Sequence, residues 1–210
     1  MELIDKCALL KFNEMVNKVT ADFDDYNTGE GKRAAEQFFW HTFCDYYLEI
    51  VKHRLYNTEQ SGKKARLSAQ HALYNILLGL LKLFAPIMPH ITEEVYQDYY
   101  VDKQRENCKS IHISAWPSHD VKIKDTGEAE SILEELGELA INIISEVRKH
   151  KAANQMSIKA EIGKVLVESP IDLKKIKEPE LNGWKADVLN TIQAKELEIR
   201  QAKELKVEIE

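Results

Sequence analysis

The sequence predicts a mostly α protein: an antiparallel helical bundle over 1–117, a linker at 118–127, and a small α/β (α+β) domain of about three strands over 128–210. Three observations carry this. Apolar residues recur at helical spacings through the first part, prolines and a glycine-bearing loop cut that pattern into rods, and strict alternation replaces it towards the C-terminus.

The first stripe, Ala8, Phe12, Met15, Val16, Val19 and Phe23, predicts a helix that ends at the turn-rich segment 24–31. A second helix, Ala34 to Tyr56, buries Phe39, Phe43, Tyr46, Tyr47 and Ile50, and the segment 57–64, with Ser61 and Gly62, separates it from the next. His71 to Phe84 carries the stripe Leu73, Ile76, Leu77, Leu80, Leu81 and Phe84. Pro86 and Pro89 stop it, because proline lacks the N–H and crowds the residue before it out of the α region. Helix restarts at once, with Thr92 as N-cap and Glu93 and Glu94 in a first turn that favours negative charge, and runs to Tyr99. Short loops make these rods antiparallel neighbours.

Beyond the linker, Leu133, Leu136, Ala140, Ile143, Ile144 and Val147 share one side of a helix starting near Glu128. Ile158, Ala160 and Ile162 then alternate with polar residues and lead into Val165 to Val167; Leu197 and Ile199, then Leu205, Val207 and Ile209, alternate as well. These predict a sheet with Lys206 and Glu208 on its exposed face. The helix from Glu128 and another over Glu180 to Ile192 cover the other face.

Composition narrows the function. With 210 residues and 44% apolar residues the chain can form a core in one or two domains. No apolar run reaches the roughly 20 residues of a membrane span, and Met1 to Leu10 has no signal-peptide pattern, so a cytoplasmic location without membrane partners is expected. Cys7, Cys44 and Cys108 lie far apart without C-x-x-C spacing, which points to reduced thiols. The net charge of −6 argues against a free-standing nucleic-acid binder with a broad basic face. Local basic clusters remain: Lys52, His53 and Arg54; Lys63, Lys64 and Arg66; Arg148, Lys149, His150 and Lys151. They read either as RNA-facing cations or as solvated helix ends.

The side-chain pattern best suited to recognition lies on the second helix, where His41, Asp45, Glu49 and Lys52 recur at steps that align them beside the aromatic face. Unstacked bases in RNA loops are read on their edges, and a carboxylate accepts hydrogen bonds from the amino groups of cytosine and adenine. Lys52 could meet a phosphate, and Leu48 or Tyr46 could offer an apolar platform. Catalytic patterns are missing: there is no G-x-G-x-x-G and no P-loop. His41 with Cys44, and His90 with Glu93, are too few ligands for a metal site. Glu134, Glu135 and Glu138 fall on the polar face of their helix.

The string LLKLFAPIMPHITEEVY around the proline corner resembles the anticodon-binding helical bundle of the class I aminoacyl-tRNA synthetases for valine, isoleucine and leucine. FFWHTFCDYYLEIVK at 38–52 and SIHISAWP at 110–117 agree with it, and 144–165 is similar to the valine enzymes in a short, archaeal-like form. That resemblance implies a C-terminal fragment that binds the anticodon arm of tRNA(Val) beside the catalytic domain of the same polypeptide. The RNA-binding residues it points to are Asp45, Glu49, Lys52, Arg54, Lys63, Lys64, Arg66, Arg148, Lys149 and Lys151. Valine anticodons end in adenine and cytosine, both amino-bearing. The family's HIGH and KMSKS signatures are absent. QMSIK at 155–159 only echoes the second and is expected to lead into a strand. No catalytic residue and no cofactor or metal is therefore expected in this chain, ATP and Mg belonging to the catalytic domain of the full ligase. The resemblance also implies a further family helix upstream of the first one here. The alternatives are the same region of an isoleucyl- or leucyl-tRNA synthetase, or a helical protein-interaction module with a groove between Phe38 and Tyr47.

Overall fold

The computed structural model describes residues 1–101, 108–117 and 130–209, those at 58–61 by backbone only; the expected linker at 118–127 lies outside the described residues. Helix α1, Leu3–Asp24, is followed by α2, Thr28–Phe38, which continues through a π-helix, Phe39–Tyr47, into α3, Leu48–Tyr56. Then come α4, Thr58–Phe84, α5, Pro89–Tyr99, and a 3-10 turn at Ile111–Ile113. The C-terminal part holds α6, Glu130–Ala153, β1, Ile162–Ser169, α7, Glu178–Ile192, β2, Ala194–Gln201, and β3, Lys206–Ile209. A helical bundle with a small α/β unit is thus the architecture.

The turn between α1 and α2 is shorter than expected. Tyr26 adopts the left-handed conformation at φ 59°, and Asn27 N–H reaches back to Asp22 O at 2.7 Å while Tyr26 N–H bonds Phe23 O at 3.1 Å. This is the hydrogen-bond pattern of a Schellman ending, here with tyrosine where glycine is usual. Helix α2 therefore starts at Thr28, and Gly31 serves packing instead of the turn: a Cβ there would come within 2.7 Å of the Phe23 ring.

The proline corner is also built differently at its exit. Pro89 occupies the first turn of α5, where its missing N–H costs nothing. Thr92 is therefore inside the helix, its hydroxyl donating to Met88 O at 2.9 Å, and is not the N-cap. Glu93 ties α5 to the segment that follows it, accepting from Ile111 N–H and Ser110 Oγ, both at 2.9 Å. Burial alone would raise its pKa, but these bonds and the one from Gln97 outweigh that and hold it below the ordinary carboxylate range. Trp116 completes the return to α1, donating to Thr20 Oγ1 at 2.9 Å with its ring 5.4 Å from that of Phe23. Replacing Glu93 by alanine should cost about 1 kcal/mol or somewhat more and speed amide exchange at Ile111; exchange unchanged at Ile111 would remove this role.

The sheet has the order β2-β1-β3, with β1 parallel to β2 through the α7 crossover and antiparallel to β3. Register places Val165 beside Leu197 and Ile209, and Val167 beside Ile199 and Val207, so these residues share the covered face. Lys206 and Glu208 lie on the exposed one. Residues 158–160, expected to open the first strand, form a turn closed by Ala160 N–H to Ser157 O at 2.9 Å, and Ile158 is exposed. QMSIK accordingly lies in an exposed loop after α6, not at a strand entrance.

One hydrophobic core runs through both parts: Leu9 and Phe12 of α1, Val51 of α3, Ile76 of α4, Leu136 and Ile143 of α6, Val165 of β1 and Trp184 of α7 belong to it. The whole α6 stripe expected from the sequence is buried. Helix α4 instead serves two clusters. Ile76, Leu80, Leu83 and Phe84 join the main core, whereas Leu78, with Ala85 just past the helix end, packs with Tyr96, Tyr100 and Ile111. Leu77, expected in the stripe, is exposed.

Candidate functional site

The π-helix sits where the sequence places the recognition stripe. A wider helix of this kind rarely lasts more than one turn and often marks a functional segment; here it covers nine residues, from Phe39 to Tyr47. Phe43 and Tyr47 remain buried on its inner side, while Trp40 stands exposed and Phe39 and Tyr46 are half-buried. On the outer side His41 Nδ1 lies 3.3 Å from an Asp45 carboxylate oxygen. One turn on, in α3, Lys52 donates to Glu49. The stripe thus exists as two local acid–base pairs on the protein surface.

Helix α6 crosses beside it. Arg148 donates to Asp45 O at 3.0 Å and lays its guanidinium over the Tyr46 ring, 5.1 Å from the centroid. Tyr46 is therefore a platform already occupied on one face by a cation. Between α3, α6, the loop 154–161 and the C-terminal turn of α7 opens a cleft of about 490 Å3. Ile144, Val147 and Ile158 give it apolar walls, and Glu49, Lys52, His53, Arg148, Lys151, Lys159, Asn190 and Gln193 are among its polar ones.

Of the expected residues, Glu49, Lys52, Arg148 and Lys151 converge on this cleft, and Asp45 adjoins it through the Arg148 bond. Lys63 and Lys64 are exposed near the start of α4, after the break at Gly62, and Arg66 is half-buried there; none of the three lines the cleft. Lys149 is exposed and donates to Glu146 at 2.7 Å, a bond that raises its pKa.

Two expectations are corrected. Arg54 is not a surface cation: it is 2% exposed and bonds Asp5 through both terminal nitrogens, each at 2.9 Å. Tyr47 and Ser68 donate to the same carboxylate, and Arg54 Nε stands 3.1 Å from Asp187, whose other neighbour His53 is at 2.7 Å. Burial opposes the arginine's charge, but the bonds to Asp5 and the field of both aspartates raise its pKa. Arg54 clamps α1, α3 and α7 together.

Lys151 is the second correction. It is buried, with its ammonium donating to Ile158 O at 2.9 Å and Ile192 O at 2.8 Å, so it ties α6 to the loop and caps the last turn of α7. Burial lowers its pKa. Lys159, Asn190 and Gln193 also line the cleft and carry no signal in the sequence, because their part in it depends on the α7 crossover bringing distant segments together.

The chain thus combines a helical bundle, a π-helical segment that carries part of the expected stripe, and a polar cleft at the junction with an α/β unit. Its family is that of the anticodon-binding domain of tRNA ligases: residues 5–167 match the family model, and the chain belongs to that family. It is 37% identical over 159 residues to a valine–tRNA ligase of Methanothermobacter thermautotrophicus, covering 76% of this chain and 16% of that protein. With the corresponding ligase of Pyrococcus abyssi it shares 34% identity over 203 residues, 95% of this chain and 21% of that protein. With that of Ehrlichia ruminantium it shares 40% over 169 residues, 80% and 19% respectively. The chain therefore spans about a fifth of the length of these relatives.

Proposed function

We propose that this chain grips the anticodon arm of a valine tRNA, and that within a longer ligase polypeptide this hold orients the distant acceptor end for esterification with valine from an ATP-derived adenylate. The observation that carries the reading is the convergence of Asp45, Glu49, Lys52 and Arg148 at one surface of a chain belonging to the anticodon-binding family. Valine as the amino acid rests on the names of the relatives and on the fit of carboxylates to the amino groups of adenine and cytosine. In this reading Lys63, Lys64, Arg66 and Lys149 meet the RNA backbone farther out on the same arm. In this reading the chain contributes positioning, with ATP, Mg and bond-making left to the catalytic domain, and it works in the cytoplasm.

The test is titration of this chain with seven-base-loop RNA hairpins carrying the valine, isoleucine or leucine anticodon, at several salt concentrations. The valine hairpin should bind most tightly, with an affinity that falls steeply with salt as phosphates are neutralised. Lys52→Ala should weaken all hairpins alike. Glu49→Gln should alter the preference between anticodons by about 1–3 kcal/mol if its carboxylate reads a base edge. Equal binding of all three hairpins would sink the valine assignment, and binding without salt dependence would sink the RNA reading.

A further inference from the structure

The buried residues of α2, the π-helix and α3 keep helical steps except at one place. Gly31, Ala35 and Phe38 follow one another by four and three, and Phe43, Tyr47, Ile50 and Arg54 by four, three and four, but Phe38 and Phe43 are five apart. On an α-helix a step of five turns a side chain about 140° from its predecessor. One of these rings would then face solvent. A helix that closes five residues back brings the second ring round to the side of the first, and Phe38, Phe43 and Tyr47 accordingly share one core.

The same residues offer a second register. Phe39 stands four residues before Phe43, where an α-helix would bury it, and it is already half-buried, with its ring 4.9 Å from that of Trp40 and 6.4 Å from that of Phe84. Exchanging Phe38 for Phe39 in the core would rotate Trp40 and His41 about the helix axis against Glu49 and Lys52. Two packings of one segment that differ by a single residue make a bistable element. The choice between them is made at its C-terminal end. Leu48 N–H still bonds Phe43 O, five residues back, while α3 begins with Leu48 itself. Where five-back pairing gives way to four-back pairing one carbonyl is left over, here at Cys44 or Asp45. Arg148 brings a donor to this place, 3.0 Å from Asp45 O, and its guanidinium covers the ring of Tyr46 next to it.

Resting on the anticodon-arm reading for its purpose, we infer that Arg148 is the positioning residue that holds Phe39–Tyr47 in the π register and so sets where Trp40, His41 and Asp45 stand on the recognition surface. The α register has no surplus carbonyl at Asp45, so the bond from Arg148 favours the π form alone. Only a contact that differs between two states shifts the balance between them. The donor is also fixed in space, because α6 carries it one residue after Val147, which is buried in the core with Ile144. The C-terminal unit thereby imposes the surface geometry of the helical bundle.

Scalar couplings across hydrogen bonds, measured by NMR on this chain, identify the carbonyl that each amide bonds. In wild type the Leu48 amide should couple to the carbonyl of Phe43. Arg148→Met keeps the stem and loses the donor, so that coupling should weaken and one to Cys44 should appear, a shift of about tenfold in the register equilibrium for a hydrogen bond from a charged group. Arg148→Lys keeps a charged donor and should retain the Phe43 coupling. Phe39→Ala removes the ring that the α register would bury, and added to Arg148→Met it should restore that coupling. Binding supplies the second readout: Asp45→Asn should change the preference between the valine and isoleucine hairpins about tenfold in an otherwise wild-type chain, and far less in Arg148→Met. An undiminished Phe43 coupling in Arg148→Met, or loss of it in Arg148→Lys as well, would overturn the inference and leave the anticodon reading standing. If wild type binds no hairpin while the couplings behave as expected, the anticodon reading falls and the register role of Arg148 stands.

Discussion

Replacing Arg54 by alanine is expected to destabilise the fold by about 3–5 kcal/mol, because the change leaves two buried carboxylates without their shared cation. Asp5 is fully enclosed, and Asp187 is 2% exposed. Their remaining donors, Tyr47 and Ser68 for Asp5 and His53 for Asp187, supply hydrogen bonds without a fixed positive charge. The pH dependence of the deficit is diagnostic. Burial raises the pKa of Asp187, and the Arg54 charge is one of the influences that lower it, so its loss raises it further. A carboxylate that holds its proton more tightly in the folded state than in the unfolded state favours folding as pH falls towards that pKa. The Arg54→Ala deficit should therefore shrink between neutral pH and about pH 5. Urea unfolding at the two pH values measures both quantities; a deficit that stays below about 1 kcal/mol, as for an exposed pair, would show that the clamp carries no load. Arg54→Met together with Asp5→Leu and Asp187→Leu should recover much of the loss, since apolar replacement of a whole buried ionic group is often neutral or better.

The same residue marks where the sequence can be read and where it misleads. On α3 and the turn before it the buried positions are Tyr47, Ile50, Val51 and Arg54, so the arginine continues the apolar stripe at the next helical step. Asp5 holds the equivalent place one turn before Leu9 on α1, Asp187 lies between Trp184 and Val188 on α7, and Lys151 follows Ile144 and Val147 on α6. Each ionisable group on an apolar stripe implies a buried partner elsewhere, and periodicity carries that signal. Grouping Arg54 with its neighbours Lys52 and His53 as a linear basic cluster ignores the face each occupies. The α6 stripe, the proline corner and the alternating strands are legible because each is a local pattern. The cleft is not, since Lys159, Asn190 and Gln193 meet it only through the β1–α7–β2 crossover. The π-helix is equally hidden: Phe43 and Tyr47 are buried on it as they would be on an α-helix, and residue spacing alone reads as an ordinary helix.

Close approach between α1 and α4 sets the other large effect. Phe12 is buried with its ring 5.8 Å from that of Phe38, and it lies directly over Gly79, where an ideal Cβ would come within 2.2 Å of Phe12 Cζ. Phe12→Ala should cost about 3–5 kcal/mol through lost burial and the cavity left between the helices. Gly79→Ala is the more discriminating change. Helix propensity alone would make it stabilising by about 1 kcal/mol, whereas a methyl forced against a packed ring should cost about 1–3 kcal/mol. The second effect wins here because Phe12 is enclosed and has no solvent side into which to swing. Shortening the ring reverses the balance: in a Phe12→Leu background the same Gly79→Ala substitution should cost far less or stabilise, giving a coupling of about 1–3 kcal/mol between two positions in contact. Urea midpoints for the four proteins, compared at equal m-values, give that coupling directly. Should Gly79→Ala stabilise wild type as much as it stabilises Phe12→Leu, the helices are not held apart by this ring, and the reason for glycine at this position has to be sought elsewhere.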